Sequence, residues 1–168
     1  MSHSERRERS TVHSTFVIER TYVASPRLVW EAWADPAAKT QWFGPPGKPA
    51  GAYSLEFREG GREHLSGQRP DGGPVHTYDA VYHDIVPGAR IVYAYDMHLN
   101  EDRISVSLTT VEIEAAGEGT RLTLTEHGVF LDGHDTPARR EHGTNELIDA
   151  LGAHLDKRSR LRAREALT

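Results

Sequence analysis

Val75-His76-Thr77-Tyr78-Asp79-Ala80-Val81-Tyr82-His83-Asp84-Ile85-Val86-Pro87-Gly88-Ala89-Arg90-Ile91-Val92-Tyr93-Ala94-Tyr95-Asp96-Met97-His98 is the stretch on which the fold turns. Tyr78, Ala80, Tyr82 and Asp84 fall on one face of an extended chain, and Tyr93, Tyr95 and Met97 share a face of the segment that follows. That period of two marks a strand with one side buried. Pro87-Gly88 supplies the chemistry of a tight turn. Two long strands joined by so short a connection are antiparallel neighbours.

The pattern extends in both directions. Downstream, Ile104, Val106 and Leu108 alternate, and Thr109-Thr110 breaks the phase before Val111 and Ile113, which predicts a β-bulge. Gly117-Glu118-Gly119 makes a hairpin, and Leu122, Leu124 and Glu126 share a face of the last strand. Upstream, Tyr53, Leu55 and Phe57 alternate with polar residues, Gly60-Gly61 turns, and Arg62 to Gln68 returns. Pro70-Asp71-Gly72-Gly73-Pro74 is a further turn. An earlier strand over residues 15–23 carries Phe16, Ile18 and Tyr22 on one side, with Glu19 and Thr21 on the other.

Helical signals lie on either side of this block of strands. Ser25-Pro26 and Asp35-Pro36 each pair an N-cap with proline at the first helical position. They predict two short helices, the second ending near Trp42-Phe43 and stopped by Gly44-Pro45-Pro46-Gly47. Thr136-Pro137 opens a long helix with an apolar stripe of Leu147, Ile148, Leu151 and Leu155. Residues 1–13 are expected to form a disordered tail. Residues 14–160 form one domain, and 161–168 a basic extension that continues a frayed run of Lys157, Arg158, Arg160, Arg162 and Arg164. The order is strand, two short helices, about six antiparallel strands and one long helix. An antiparallel sheet of that length twists and needs one face covered. The amphipathic last helix is the natural cover, and a cavity remains where curved sheet and straight helix fail to meet.

Composition narrows the function. The chain has 168 residues, one domain's worth, with 20 Lys+Arg against 25 Asp+Glu and a net charge of −5. That balance gives no general attraction for phosphates, so no nucleic-acid partner is expected. No cysteine is present, which removes disulfides, thiolate metal sites and a cysteine nucleophile. No apolar run approaches the roughly 20 residues of a membrane span, and the first residues lack a signal-peptide core. No membrane contact and a cytoplasmic location are therefore expected.

Ten histidines invite a metal reading, but none stand two or four apart and no His-Glu-x-x-His occurs, so no metal is assigned. Gly-x-Ser-x-Gly and the glycine-rich nucleotide loops are absent as well, and no cofactor is implied. Glu126 is the sharpest single residue. Its alternation with Leu122 and Leu124 turns it toward the interior, where burial would raise its pKa and make it a candidate acid or base. The competing reading pairs it with an arginine or with backbone amides. The tyrosines suit a pocket for a flat, partly polar ligand, or an ordinary core. Trp30, Trp33, Trp42 and Phe43 cluster around the short helices, with Trp42 or Phe43 nearest a cavity mouth.

From Phe16 to Leu155 the chain resembles the SRPBCC (START-related, Bet-v-1-like) superfamily, in the branch named after the heat-shock-protein-90 ATPase activator. The resemblance rests on Phe16-Val17-Ile18-Glu19-Arg20, Ser25-Pro26-Arg27-Leu28-Val29-Trp30, Asp35-Pro36 with Trp42-Phe43-Gly44-Pro45, and Gly60-Gly61-Arg62. It continues through Asp84-Ile85-Val86-Pro87, Arg90-Ile91-Val92, Thr125-Glu126-His127-Gly128 and the terminal helix. It implies an α+β helix-grip fold, a curved sheet of about seven strands wrapped on a long C-terminal helix. The superfamily includes ligand carriers, cyclases, resistance proteins and co-chaperone domains, so fold alone does not select a function. One departure stands out. Many relatives carry Gly-Trp early in the last helix where this chain has Gly143-Thr144, a change that would enlarge or reshape one end of the cavity.

The expectation is a cavity that binds a small hydrophobic or aromatic molecule, lined by Trp42, Phe43, Tyr78, Tyr82, Tyr93, Tyr95, Met97, Glu126, Leu147 and Leu151. Two alternatives stay open. One is a cyclase- or aromatase-like enzyme using Glu126 and a cavity tyrosine. The other is a co-chaperone-like interaction module with a protein partner or a second copy as its target.

Overall fold

The computed structural model describes residues 8–44, 52–68 and 71–168. Its elements run β1 (Thr11–Tyr22), α1 (Pro26–Ala34), α2 (Pro36–Lys39), β2 (Ala52–Leu55), β3 (Arg62–Gly67), β4 (His76–Val86), β5 (Arg90–Leu99), β6 (Asp102–Ala116), β7 (Gly119–Leu131) and α3 (Pro137–Ala166). The seven strands make one open, curved, antiparallel sheet in the order β1-β7-β6-β5-β4-β3-β2. α3 covers its inner face, packing on β1 and α1 and burying Ile148, Leu151 and Leu155. This is the α+β helix-grip arrangement. No helix among the described residues is long and apolar enough to cross a membrane.

The local chemistry that sets these boundaries is visible. Ser25 Oγ accepts from the Leu28 amide at 3.3 Å, and Thr136 Oγ1 accepts from the Arg139 amide at 3.2 Å. Asp35 ends α1 and caps α2 at once, its carboxylate taking the Ala37 amide at 3.1 Å. Each cap satisfies a helix-start N–H that has no partner within the helix. At Gly60-Gly61 the backbone turns with φ +77° at Gly60, and a Cβ on Gly61 would stand 2.1 Å from the Glu56 carbonyl. Only glycine closes that turn.

Several expectations need correction. β1 begins at Thr11 rather than Thr15, because Thr11 to Ser14 pair with Gly128 to Leu131 of β7. The preceding backbone is tied as well, the Ser10 amide donating to Asp132 at 3.0 Å. The expected disordered tail therefore loses residues 11–13 to the sheet, while its first seven residues lie outside the described set, as do Pro45–Gly47 and Pro70 of the expected turns. Helix α3 runs unbroken to Ala166, so the basic run is ordered helix and not a frayed extension.

The phase of β6 is the most instructive difference. No irregularity occurs at Thr109-Thr110; the extra residue of β6 is Ile104, left unpaired where Met97 and His98 of β5 face Ser105 and Arg103, and β4 has its own at His83, between Tyr82 and Asp84. Ser105, Ser107, Thr109, Val111 and Ile113 face inward, whereas Val106 and Leu108 face solvent. The shift after Tyr82 also turns Asp84 away from the tyrosine face, to bond Arg90 at 2.6 Å. The inward run of β6 thus changes from hydroxyls to hydrocarbon along one strand.

Candidate functional site

Two buried charge centres and a pocket share the interior. The first centre joins α2 to β3. Lys39 and Glu63 are each only 1% exposed, with Nζ 3.0 Å from one carboxylate oxygen and 3.3 Å from the other. Glu63 also accepts from Tyr53 at 2.6 Å, Tyr82 at 2.9 Å and Tyr78 at 3.3 Å. The ammonium sits 4.5 Å from the centre of the Phe43 ring and 4.9 Å from that of Trp33, with Trp42 at 5.5 Å. Rings so placed attract a cation through their electron-rich faces. Burial pushes the Lys39 amine below its ordinary value, and Glu63 opposes that push. A buried charge persists only with this degree of pairing.

The second centre lies under α3. Glu126, 3% exposed, accepts from the Tyr95 hydroxyl at 3.0 Å on both oxygens and from Thr109 Oγ1 at 3.0 Å. Arg140 donates to the same Tyr95 oxygen at 3.1 Å, to Ser105 at 2.7 Å and to Asp135 at 3.1 Å. Carboxylate and guanidinium are therefore bridged by a phenol, not joined directly. Burial raises the Glu126 pKa, while Arg140, Thr109 and Tyr95 pull it back. The Tyr95 hydroxyl is itself held protonated by burial and by the Glu126 charge.

Above this second centre a pocket of about 250 Å³ opens to solvent. Phe43, Leu65, Tyr78, Tyr95, Met97 and Leu147 give it apolar walls. The Tyr78 and Tyr95 rings pack with centroids 4.8 Å apart, and Phe43 meets Tyr78 edge-on at 5.2 Å. Asp135, Arg139, Arg140 and Thr144 supply its polar groups. A Cβ on Gly143, also in the lining, would meet nothing within 4 Å, so this stretch of α3 leaves open space. The larger hollow of about 480 Å³ beside the last turns of α3 is lined, among the described residues, by that helix alone.

Of the residues expected to line a cavity, Phe43, Tyr78, Tyr95, Met97 and Leu147 come together at this pocket. Trp42, Tyr82, Tyr93 and Leu151 lie in the core beneath it. Trp42 donates its indole N–H to the Ala32 carbonyl at 3.0 Å, and Tyr82 serves Glu63. Glu126 is one layer removed, behind Tyr95.

Arg140, Lys39 and Glu63 were not anticipated. Two of them left a signal. Arg140 and Thr144 continue the Leu147–Leu155 stripe toward the helix start at spacings of four and three, and Glu63 alternates in phase with Leu65. Lys39 left none, since a lysine in a four-residue helix ordinarily faces water.

Residues 23–156 match the model of the family described as Activator of Hsp90 ATPase homolog 1-like protein. No curated protein matches the chain. Among solved structures, an uncharacterised protein from Rhizobium leguminosarum is 47% identical, with a TM-score of 0.86 over 89% of this chain and 99% of that one. A protein from Rhizobium loti is 46% identical, with a TM-score of 0.80 over 86% and 99%. An AHSA1-like protein from Aeromonas hydrophila shares the fold at 18% identity, with a TM-score of 0.67 over 87% and 94%.

Proposed function

The chain belongs to the Activator of Hsp90 ATPase homolog 1-like family, within the SRPBCC superfamily, and from that premise we propose that it binds a small hydrophobic or aromatic molecule in the pocket between β3–β5 and the first half of α3. One observation carries this reading: six apolar and aromatic side chains surround a common volume beside a fully hydrogen-bonded polar floor. Apolar walls with a few fixed polar groups are the usual composition of ligand sites. Binding then draws on roughly 25 cal/mol for each Å² of apolar surface removed from water.

The enzyme alternative has less support, because the Tyr95 phenol separates Glu126 from the pocket and both carboxylate oxygens are already engaged. A general base needs to reach the proton that it removes. The interaction-module alternative draws on Val17, Val106 and Leu108, exposed on the outer face of the sheet. Thr15, Thr125 and His127 interrupt that surface, and it encloses no volume.

The test is titration with a neutral fluorescent aromatic, N-phenyl-1-naphthylamine, of the wild-type chain and Gly143→Leu. A Cβ at this lining position meets nothing within 4 Å, and the new side chain replaces a helix-interior glycine. It should therefore raise stability by about 0.8 kcal/mol while reducing probe affinity at least tenfold. Undiminished binding by a folded Gly143→Leu protein would remove the pocket from the account.

A further inference from the structure

The charges on the pocket wall are not balanced. Two guanidinium groups, Arg139 and Arg140, face one carboxylate, Asp135. Arg140 is buried and engaged by Asp135, Ser105 and Tyr95, with Glu126 behind the phenol. Asp135 is divided between that guanidinium and the Thr136 amide, which its other oxygen accepts at 2.8 Å. Arg139 stands at the rim, exposed, and its guanidinium has no hydrogen bond or ion pair among the described residues. The pocket therefore has a charged rim with a free cation, aromatic walls and a saturated floor.

Resting on the reading that this pocket holds a small molecule, we infer that its ligand is an aromatic or alkyl acid, with its apolar body between Phe43, Tyr78, Tyr95 and Met97 and its anionic group against Arg139. A carboxylate or similar planar oxyanion matches the donor fork of a guanidinium, which can hold it through two parallel N–H bonds. Arg140 adds a second positive charge deeper in the same wall. An ammonium at the rim would meet the unpaired Arg139, with the one carboxylate of the lining, Asp135, already paired to Arg140, and a neutral isostere would leave Arg139 in water with nothing gained. Size limits the class further. A volume of about 250 Å³ lies below the roughly 300–1,000 Å³ of drug-sized sites, which favours one or two fused rings over a long lipid.

The experiment compares 2-naphthoate, 2-naphthamide and 2-naphthylmethylammonium on the full chain by calorimetry at low salt and pH 7.5, with the Met97 methyl resonance as the report of pocket occupancy. The acid should bind at least tenfold more tightly than the amide and the ammonium least well. In Arg139→Gln, an exposed substitution, the acid-to-amide ratio should fall toward one. Equal affinity of acid and amide, with Met97 shifting for both, would overturn the anionic ligand and leave the pocket reading standing. If none of the three moves Met97, the pocket reading fails and the acid class falls with it.

Discussion

The two buried charge centres are built from the same parts and behave as opposites. At Lys39–Glu63 the ions touch at 3.0 Å, three tyrosines complete the carboxylate, and aromatic rings close over the ammonium. At Glu126–Arg140 a tyrosine stands between the ions, and the guanidinium reaches outward to Asp135 at the pocket wall. Direct contact with every lone pair satisfied makes a structural element that has nothing left to offer a ligand. Separated charges carry Arg140 and its partner Asp135 out to the pocket wall, beside the rim Arg139 that an incoming molecule can use. Tyr78 belongs to both, donating to Glu63 while its ring lines the pocket.

That contrast is broken most forcefully at the closed end. Glu63→Gln leaves Lys39 buried without its counter-charge and should cost about 3–5 kcal/mol in urea unfolding. The double variant Lys39→Met/Glu63→Gln removes both charges and should recover most of that loss, giving a large coupling in the mutant cycle. A small loss in the single variant, or no recovery in the double, would mean that the pair is not the element described.

At the open end the effects should be smaller and dependent on pH. Glu126→Gln keeps one oxygen that can accept from both Tyr95 and Thr109, as Oε1 does now, so the change at neutral pH should stay within about 1.5 kcal/mol. The folded protein raises the Glu126 pKa, and so holds a proton that the unfolded chain has already released. Wild-type stability from this group therefore falls as pH rises from the ordinary carboxylate value through the raised one. Glutamine does not titrate, so unfolding measured from pH 4 to 8 should move in favour of the variant as pH increases. A constant difference would place the Glu126 titration elsewhere. The smallest effect is expected from Ser105→Ala, which removes one of several bonds to Arg140 and should cost about 1 kcal/mol.

How much of this the sequence disclosed follows a simple geometric rule. Alternation reports which face of a strand is buried, but not how far along the strand a residue lies. Tyr78 and Tyr82 share a face of β4 and both donate to Glu63, yet Tyr78 also lines the pocket while Tyr82 lies in the core beneath it. Tyr93 and Met97 on β5, and Leu151 and Leu147 on α3, divide in the same way. Caps and turns were legible because their causes are local, as at Asp35 and Thr136. The β6 phase was misread because Val106 and Leu108 look like core, while the inward Ser105, Ser107 and Thr109 look like surface. Their polarity answers Arg140 and Glu126, partners more than fifteen residues away, and a hydropathy pattern does not register such distant demands.

The chain has two methionines, Met1 and Met97, and in a methyl-labelled sample Met97 reports from the pocket. The Trp42 indole N–H, bonded to Ala32, reports the closed end. Titration with N-phenyl-1-naphthylamine should shift the Met97 methyl and leave the Trp42 signal where it was. A stationary Met97, or a Trp42 signal that moves in its place, would contradict the division of the interior into an open and a closed end.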